Sequence, residues 1–148
     1  MQPLSVFYSR ILPYLPGCSE PLVNQVLVSS AIDFAESSLV LRQNLDSFKT
    51  VAGVTQYDLD PPTANHEIDR VMSVAVDGKE LSAGLFDAVR NDLPTAQAKP
   101  RGFYTDRTDN VFTLKLSPPP DGKYTVVVAV TLRPAITATQ LDDDLLDM

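Results

Sequence analysis

The sequence contains no tryptophan, one cysteine and one histidine in 148 residues. The single cysteine, Cys18, cannot form an internal disulfide, which excludes a secreted disulfide scaffold. No apolar run approaches the roughly 18 residues of a membrane helix. The apolar start, residues 1–15, has no charged leading region and is interrupted by Arg10 and Pro13, so a signal peptide is not expected. The sequence predicts a soluble protein made in a cytoplasm.

Positive charge is scarce and scattered. Twelve Lys and Arg face 19 Asp and Glu, for a formal net charge of -7. Binding to a phosphate backbone needs clustered cations, so a nucleic-acid groove binder is not expected. No strongly basic amphipathic face is present for anionic lipid. The 44% hydrophobic and 21% charged content is that of a globular domain, not of a disordered chain.

Helical periodicity predicts a helical pair at the start of the chain. The first helix covers about residues 4–14, with Leu4, Phe7, Ile11 and Tyr14 on one stripe. The second covers about residues 20–41, after Ser19 as a cap and with Pro21 in its first turn. Its predicted buried stripe is Val23, Val26, Leu27, Ala31, Phe34, Ala35 and Leu39.

After residue 44 the pattern changes to period two, which predicts strands. Gly53 lies between two of them and indicates a hairpin or a bulge, and Asp77-Gly78 is a tight-turn signal. The almost continuous apolar run 124–132 predicts a central strand covered on both faces. The other predicted strands are 48–51, 54–59, 71–76, 79–81, 102–105 and 111–116, with a weak helix at 84–93.

The last residues predict a short helix. Thr139 can cap it, and Asp142 is a capping-box partner. A helix of about two turns is marginal in water, so either it docks on another surface or the chain continues beyond Met148. The acidic side chains of this segment either stabilise the N-terminus of the helix through the helix dipole or bind a groove of a partner protein. The predicted partner-docking residues are Leu141, Asp142, Asp143, Asp144, Leu145 and Met148.

The predicted fold class is α+β: an N-terminal helical pair, a sandwich-like antiparallel β-sheet of about six strands, and the start of a C-terminal helix. Residues 1–44 hold the helices, 45–134 the β-rich part and 135–148 the docking segment. Together they are expected to form one compact unit.

Reactive groups do not converge in the sequence. His66 lies in a polar stretch without a second His or Cys nearby, so it is predicted to be a solvated loop residue rather than a metal ligand. Cys18 would need a base to act as a nucleophile and is expected to be a packing residue. Neither a catalytic residue nor a cofactor or metal is predicted, and the chain is not expected to be an enzyme. Asp106, Asp109 and Asn110 are expected to form a turn rather than to bind calcium.

Glycan recognition commonly uses exposed aromatic side chains. Tyr104 and Tyr124 are expected to pack along strands instead. Two rival functions stay open. One is a β-sheet recognition module for glycan or peptide on a tail or a cell surface. The other is a hydrolase that uses two carboxylates in a deep pocket.

The order of these elements resembles that of the head-to-tail adaptor (connector) proteins of tailed bacteriophages. The resemblance covers nearly the whole chain through motifs that mark a fold. They are Leu15-Pro16-Gly17-Cys18, Ala31-x-x-Phe34-Ala35-Glu36, the runs 54–59 and 71–78, Leu114-x-Leu116-x-Pro118-Pro119, Val128-Ala129-Val130-x-Leu132-Arg133-Pro134 and the acidic run 141–146.

The resemblance implies a virion structural protein at the head–tail junction. Such proteins form an oligomeric ring, commonly of twelve copies, that joins the portal to the tail and lines the DNA conduit. The implied partners are copies of the chain itself, the portal protein and a tail tube or nozzle protein, while DNA only passes through. A further helical segment usually follows the last motif in such proteins, and this chain lacks it.

Overall fold

The computed structural model describes residues 1–14, 17, 19–83, 96–109 and 111–145. The fold is mostly β, with 40% strand and 25% helix. Short 3-10 turns cover Leu12–Tyr14 and Asp143–Leu145. The elements are β1 (Gln2–Pro3), α1 (Ser5–Ile11), α2 (Glu20–Ser38), β2 (Arg42–Asn44), β3 (Phe48–Lys49), β4 (Gln56–Leu59), β5 (His66–Val76), β6 (Lys79–Glu80), β7 (Ser82–Ala83), β8 (Gly102–Thr108), β9 (Val111–Ser117), β10 (Thr125–Pro134) and β11 (Gln140–Leu141).

The strands of the described residues are distributed over three sheets. One pairs β1 with β11. The second has the order β2-β10-β5-β6, and β3 also pairs with β10. The third has the order β4-β9-β8-β7, in which β7 and β8 are parallel. The predicted single antiparallel sheet of about six strands is therefore wrong, because period-two patterning identifies strands but not their partners.

Helix α2 begins where the sequence predicts. Ser19 is the N-cap residue, although its side chain makes no capping hydrogen bond, and Pro21 lies in the first turn. The helix ends before the predicted residue 41 because Leu39 adopts a left-handed conformation with φ of 54°. The buried stripe is narrower than predicted, since Val26 and Phe34 are 50% and 37% exposed. The buried residues are Val23, Leu27, Val28, Ala31 and Ala35.

Helix α1 is a minor element of seven residues, and of these Phe7 alone is buried. The chain then tightens into the 3-10 turn Leu12–Tyr14. A 3-10 turn has three residues per turn instead of 3.6, which rotates the following side chains away from the helical stripe. Tyr14 is accordingly 82% exposed, and its predicted place on the buried stripe is wrong.

Strand β10 confirms the central strand predicted at 124–132, because it lies between β2 and β5. Val126, Val128 and Val130 are at most 1% exposed, while Val127 and Ala129 are half-buried. One face of the strand is thus deeply buried and the other partly covered, as the alternating geometry of a strand requires.

The turn at Asp77-Gly78 is also confirmed. Both residues have positive φ, 49° and 80°, as the hairpin turn with two left-handed residues demands, and Val76 pairs with Lys79 across it. The hairpin or bulge predicted around Gly53 is wrong, because Gly53 lies in a turn with φ of 79° outside the strands. Strand β3 pairs with β10 and β4 pairs with β9, so the two strands flanking Gly53 have different partners. The weak helix predicted at 84–93 lies outside the described residues.

The predicted C-terminal helix is wrong. Gln140 and Leu141 form strand β11, in register with Pro3 and Gln2, and a single 3-10 turn follows. Leu141 and Leu145 are both buried, at 1% and 0% exposure. A strand followed by one tight turn buries the same two positions as a helix would, so their spacing does not distinguish the structures. The α+β class with a leading helical pair and a final helix is therefore corrected to a mostly β fold.

The chain divides into two compact units. Unit 1 comprises Met1–Arg42, Pro61–Asp69 and Thr131–Met148, and unit 2 comprises Gln43–Asp60 and Arg70–Val130. Unit 1 holds both helices and the β1-β11 pair, and unit 2 holds the sheet β4-β9-β8-β7. The largest buried side chains include Leu141, Leu145 and Thr131 in unit 1 and Leu114, Val74, Val76, Val126, Val128 and Val130 in unit 2.

Candidate interaction surface

The C-terminal segment, residues 139–145, is anchored within unit 1. Thr139 donates two hydrogen bonds to Asn65 Oδ1, from its backbone N at 2.9 Å and from Oγ1 at 3.4 Å. Strand β11 pairs with β1, and the buried side chains of Leu141 and Leu145 add apolar burial. The acidic residues of this segment are therefore presented from a fixed backbone.

His66 links this segment to strand β5. Its side chain is 7% exposed, and its Nε2 lies 2.6 Å from Asp142 Oδ2. Since a carboxylate only accepts, Nε2 carries the hydrogen. On the other side of the ring, Nδ1 lies 2.8 Å from Thr63 Oγ1, which also accepts the Asn65 N–H at 3.2 Å. The prediction of a solvated loop is wrong, because nearby polar groups satisfy both ring nitrogens and allow burial.

The predicted docking residues occupy different environments. Leu141 and Leu145 are buried, and Asp142 is half-buried against His66. The side chain of Asp143 is 62% exposed, and Asp144 is exposed as well. Met148 lies outside the described residues. The docking role stays a prediction, and Asp143 and Asp144 are the described members of the set that a partner can reach.

Arg133 joins two carboxylates in unit 1. Its Nη1 donates to Glu36 of α2, and its Nη2 and Nε donate to Glu67 Oε2 at 3.0 and 3.2 Å. Burial alone would lower the pKa of Arg133, but the hydrogen bonds to Glu36 and Glu67 outweigh it and raise that pKa above its ordinary value. Sequence reasoning missed this cluster. The available signal was one arginine at the end of an apolar strand.

Most exposed large apolar side chains of the described residues belong to unit 1. Tyr14 at 82% and Ile136 at 76% are the most exposed. Val26 and Phe34, which the sequence predicts to be buried, are among these exposed side chains. Exposed apolar side chains are typical of a binding surface when they form a contiguous patch. The unit 1 residues concerned are Met1, Val6, Leu12, Tyr14, Leu22, Val26, Phe34, Val40 and Ile136.

Net charge is divided unequally between the units. The ranges of unit 1 contain three basic and nine acidic residues, for a net charge of -6. Those of unit 2 contain nine basic and ten acidic residues, for a net charge of -1. Unit 1 therefore carries almost all of the negative charge of the chain, alongside most of its exposed apolar side chains.

Within the described parts of the chain, no group of three or more His, Cys, Asp or Glu side chains is arranged to hold a metal ion. None of the helices in the same residues is long and apolar enough to cross a membrane. Cys18 and Asn110 lie outside the described residues. Asp109 takes a positive φ of 51° in a turn, as predicted, whereas Asp106 lies in strand β8 rather than in the loop.

The two tyrosines considered for glycan binding have lysines over their rings. Lys115 Nζ lies 5.1 Å from the centroid of Tyr104, and Lys99 Nζ lies 5.5 Å from that of Tyr124. Tyr104 lies within β8, and Tyr124 directly precedes β10. Both rings therefore pack against side chains of unit 2.

These features describe an acidic, mostly β protein whose apolar and acidic side chains are presented at the surface of unit 1. The chain belongs to the SU10 adaptor protein family, whose sequence profile matches residues 9–148. It is a structural adaptor of a bacteriophage and a component of the virion, which confirms the resemblance to head-to-tail adaptors. The family is one of structural adaptors and is not known as a family of enzymes. No curated protein sequence matches the chain significantly.

Proposed function

We propose that copies of this chain assemble into a ring that joins the portal to the tail and lines the conduit for DNA. The observation that carries the proposal is the match to the SU10 adaptor family across residues 9–148. An adaptor must bind proteins of the head and of the tail, and it needs no reactive centre to do so. Its action is self-assembly and docking, without any bond being made or broken.

The charge of the chain supports a conduit. The net charge is -7, and the ranges of unit 1 account for -6 of it. A wall of like charge does not retain a phosphate backbone, whereas clustered cations would hold it by counterion release. We therefore expect unit 1 to contribute acidic side chains to the wall, so that DNA moves past without binding.

The surface of unit 1 supports docking. Exposed Leu22 and Val26 lie four residues apart on α2, so they share one face of the helix. An apolar helix face fits a partner groove with an apolar floor. We propose that such grooves lie on the portal and tail proteins.

The test is electron microscopy of purified virions combined with mass measurement of the complex of this chain with its portal. We expect density for a closed ring of copies between portal and tail, and a complex mass equal to the portal plus a whole ring. A monomer free in solution agrees with this result when the ring forms on its template. Virions in which the chain lies elsewhere, or a portal complex with a single copy, would contradict the proposal.

A matched pair of variants tests the docking surface. Leu22→Asp/Val26→Asp adds two charges to the α2 face, and Val51→Asp/Val54→Asp adds the same charges at exposed valines of unit 2. We expect the first pair to reduce incorporation into virions and the second to leave it unchanged. Both should shift the unfolding free energy by at most about 0.5 kcal/mol, as is usual for surface positions. If both double variants are incorporated into virions equally well, docking takes place through another surface.

A further inference from the structure

Unit 2 contains an open cleft whose lining is basic, in contrast to the acidic chain as a whole. Its volume is about 650 Å³. The floor includes Val76 and the buried Leu81. Among the described residues, the ionisable side chains in the lining are Lys79, Glu80, Lys99 and Arg101, so cations outnumber anions three to one there.

Two of the three cationic side chains have no anionic partner among the described residues. Within the described residues, neither Lys79 nor Arg101 forms an ion pair, and both are exposed. Lys99 is partly engaged, since its Nζ lies 3.8 Å from Asp77 Oδ2 and over the ring of Tyr124. Counting the described residues alone, the cleft therefore presents two cations without an ion pair and a third that is shared with Asp77.

We infer that this cleft receives the acidic C-terminal segment of a neighbouring copy, with Asp143 and Asp144 facing Lys79, Lys99 and Arg101. This inference rests on the proposed function, because it names one contact by which the ring is built. The segment is anchored by β11 and by His66, so little backbone entropy is lost when it docks. Asp143 and Asp144 are the exposed carboxylates of that segment, and Asp143 Oδ1 also lies 3.6 Å from the N-terminal amine of Met1.

The distribution of charge over the chain favours the C-terminal segment as the occupant of the cleft. The segment belongs to unit 1, with a net charge of -6, and the cleft belongs to unit 2, which is almost neutral overall and has unpaired cations at this place. The two patches differ, so each copy offers one to each neighbour. Such a heterologous contact passes from copy to copy and closes a ring when the rotation permits.

Carbodiimide cross-linking tests the contact directly, because it joins a carboxylate to an amine only at salt-bridge distance. Equal amounts of ¹⁵N-labelled and unlabelled full-length chain are mixed and assembled together on the portal protein at low salt. We expect peptides that join Lys79 or Lys99 to Asp143 or Asp144, with one labelled and one unlabelled partner. The absence of these peptides, or their occurrence only within single copies, overturns the inference.

Charge exchange tests it independently through sedimentation of the chain in the presence of its portal protein. One variant is Asp143→Lys/Asp144→Lys, and the other is Lys79→Glu/Arg101→Glu. Like charges then face each other between identical copies, so each variant alone should self-associate at least about tenfold more weakly than the parent chain. A mixture of the two restores opposite charges at every contact and should regain association.

Matched controls keep the same net charge changes outside the contact: Asp46→Lys/Asp60→Lys and Lys49→Glu/Lys123→Glu, all at exposed positions. We expect these controls to associate like the parent chain. If the mixture fails to recover, or the controls weaken as much as the cleft variants, the cleft is not the contact. Virions that carry the cleft variants in an intact ring would likewise refute this contact while leaving the adaptor function standing.

Discussion

His66 and Asp142, which are 76 positions apart in the sequence, are joined by a hydrogen bond of 2.6 Å between Nε2 and Oδ2. The bond links strand β5 to the C-terminal segment, and Thr63 completes the polar partners of the imidazole. A buried polar ring that keeps both partners costs little, whereas loss of one partner leaves the full desolvation penalty. The fixed position of the acidic segment depends on this pair.

Asp142→Ala should destabilise the protein because it leaves the Nε2–H of His66 buried without an acceptor. We expect a loss of about 1–3 kcal/mol in the free energy of unfolding. Urea unfolding followed by circular dichroism measures the change, and amide hydrogen exchange of residues 139–141 should accelerate. Asp144→Ala is the control, since it removes the same charge from an exposed position and should cost at most about 0.5 kcal/mol. Equal losses in the two variants would show that His66 needs no acceptor.

Arg133→Met should destabilise unit 1 because it leaves Glu36 and Glu67 facing each other without a cation. Their side chains are 35% and 27% exposed, so the cost lies between that of surface and buried pairs, at about 1–3 kcal/mol. Chemical unfolding is again the measurement. Adding Glu36→Gln and Glu67→Gln to Arg133→Met should recover part of the loss, because the repulsion is removed.

The control for the Arg133 variant is Lys123→Met, which removes one positive charge from an exposed site. It should leave the free energy of unfolding nearly unchanged. An unfolding curve of Arg133→Met that matches the control would mean that the ion cluster contributes nothing. No gain from the two glutamine substitutions would mean that the loss arises from packing of the arginine stem instead.

Sequence patterning identified strand β10 and the Asp77-Gly78 turn because each is encoded locally. Residues 126–130 form a continuous apolar run, and Asp-Gly permits the two positive φ angles. Pairing partners are not encoded in this way. Strands β3 and β4 flank Gly53 as hairpin strands would, yet they pair with β10 and β9, since long-range burial decides the register.

The candidate site was predicted only in part, because its groups meet through the tertiary fold. Asp143 and Asp144 are visible in the sequence as a charge run. The burial of His66 depends on Asp142, which no local pattern connects to it. Likewise, Leu141 and Leu145 are buried as their spacing indicates, but a strand and a 3-10 turn replace the predicted helix.

Gly78→Ala should destabilise the β5-β6 hairpin through the backbone alone. Gly78 has φ of 80°, and a methyl group there would touch nothing within 4 Å, so the cost is that of a left-handed alanine, about 1–2 kcal/mol. Thermal and urea unfolding measure it. Gly122→Ala is the matched control, because its Cβ also meets open space and its φ is not positive. That variant should be neutral or slightly more stable. Equal behaviour of both alanines would contradict the left-handed turn.

Tyr124 should ionise at higher pH in the folded protein than an ordinary tyrosine. The hydrogen bond that its hydroxyl donates to Asp121 is the main cause that raises its pKa above 10.0, and burial and the charges of Asp121 and Asp77 act in the same direction. Since the folded pKa exceeds the unfolded one, this interaction stabilises the fold below about pH 10. The stabilisation is lost as the pH rises through the folded pKa.

Difference absorbance at 295 nm between the parent chain and Tyr124→Phe isolates the titration of this one tyrosine. Asp121→Asn, compared in the same way with its own Tyr124→Phe derivative, should bring that titration to lower pH, because the amide no longer favours the protonated phenol as a carboxylate does. Asp109→Asn removes an equal charge from another exposed turn and should leave the Tyr124 curve in place. If both asparagine variants move the curve equally, the raised pKa reflects the overall negative charge, and the hydrogen bond to Asp121 does not cause it.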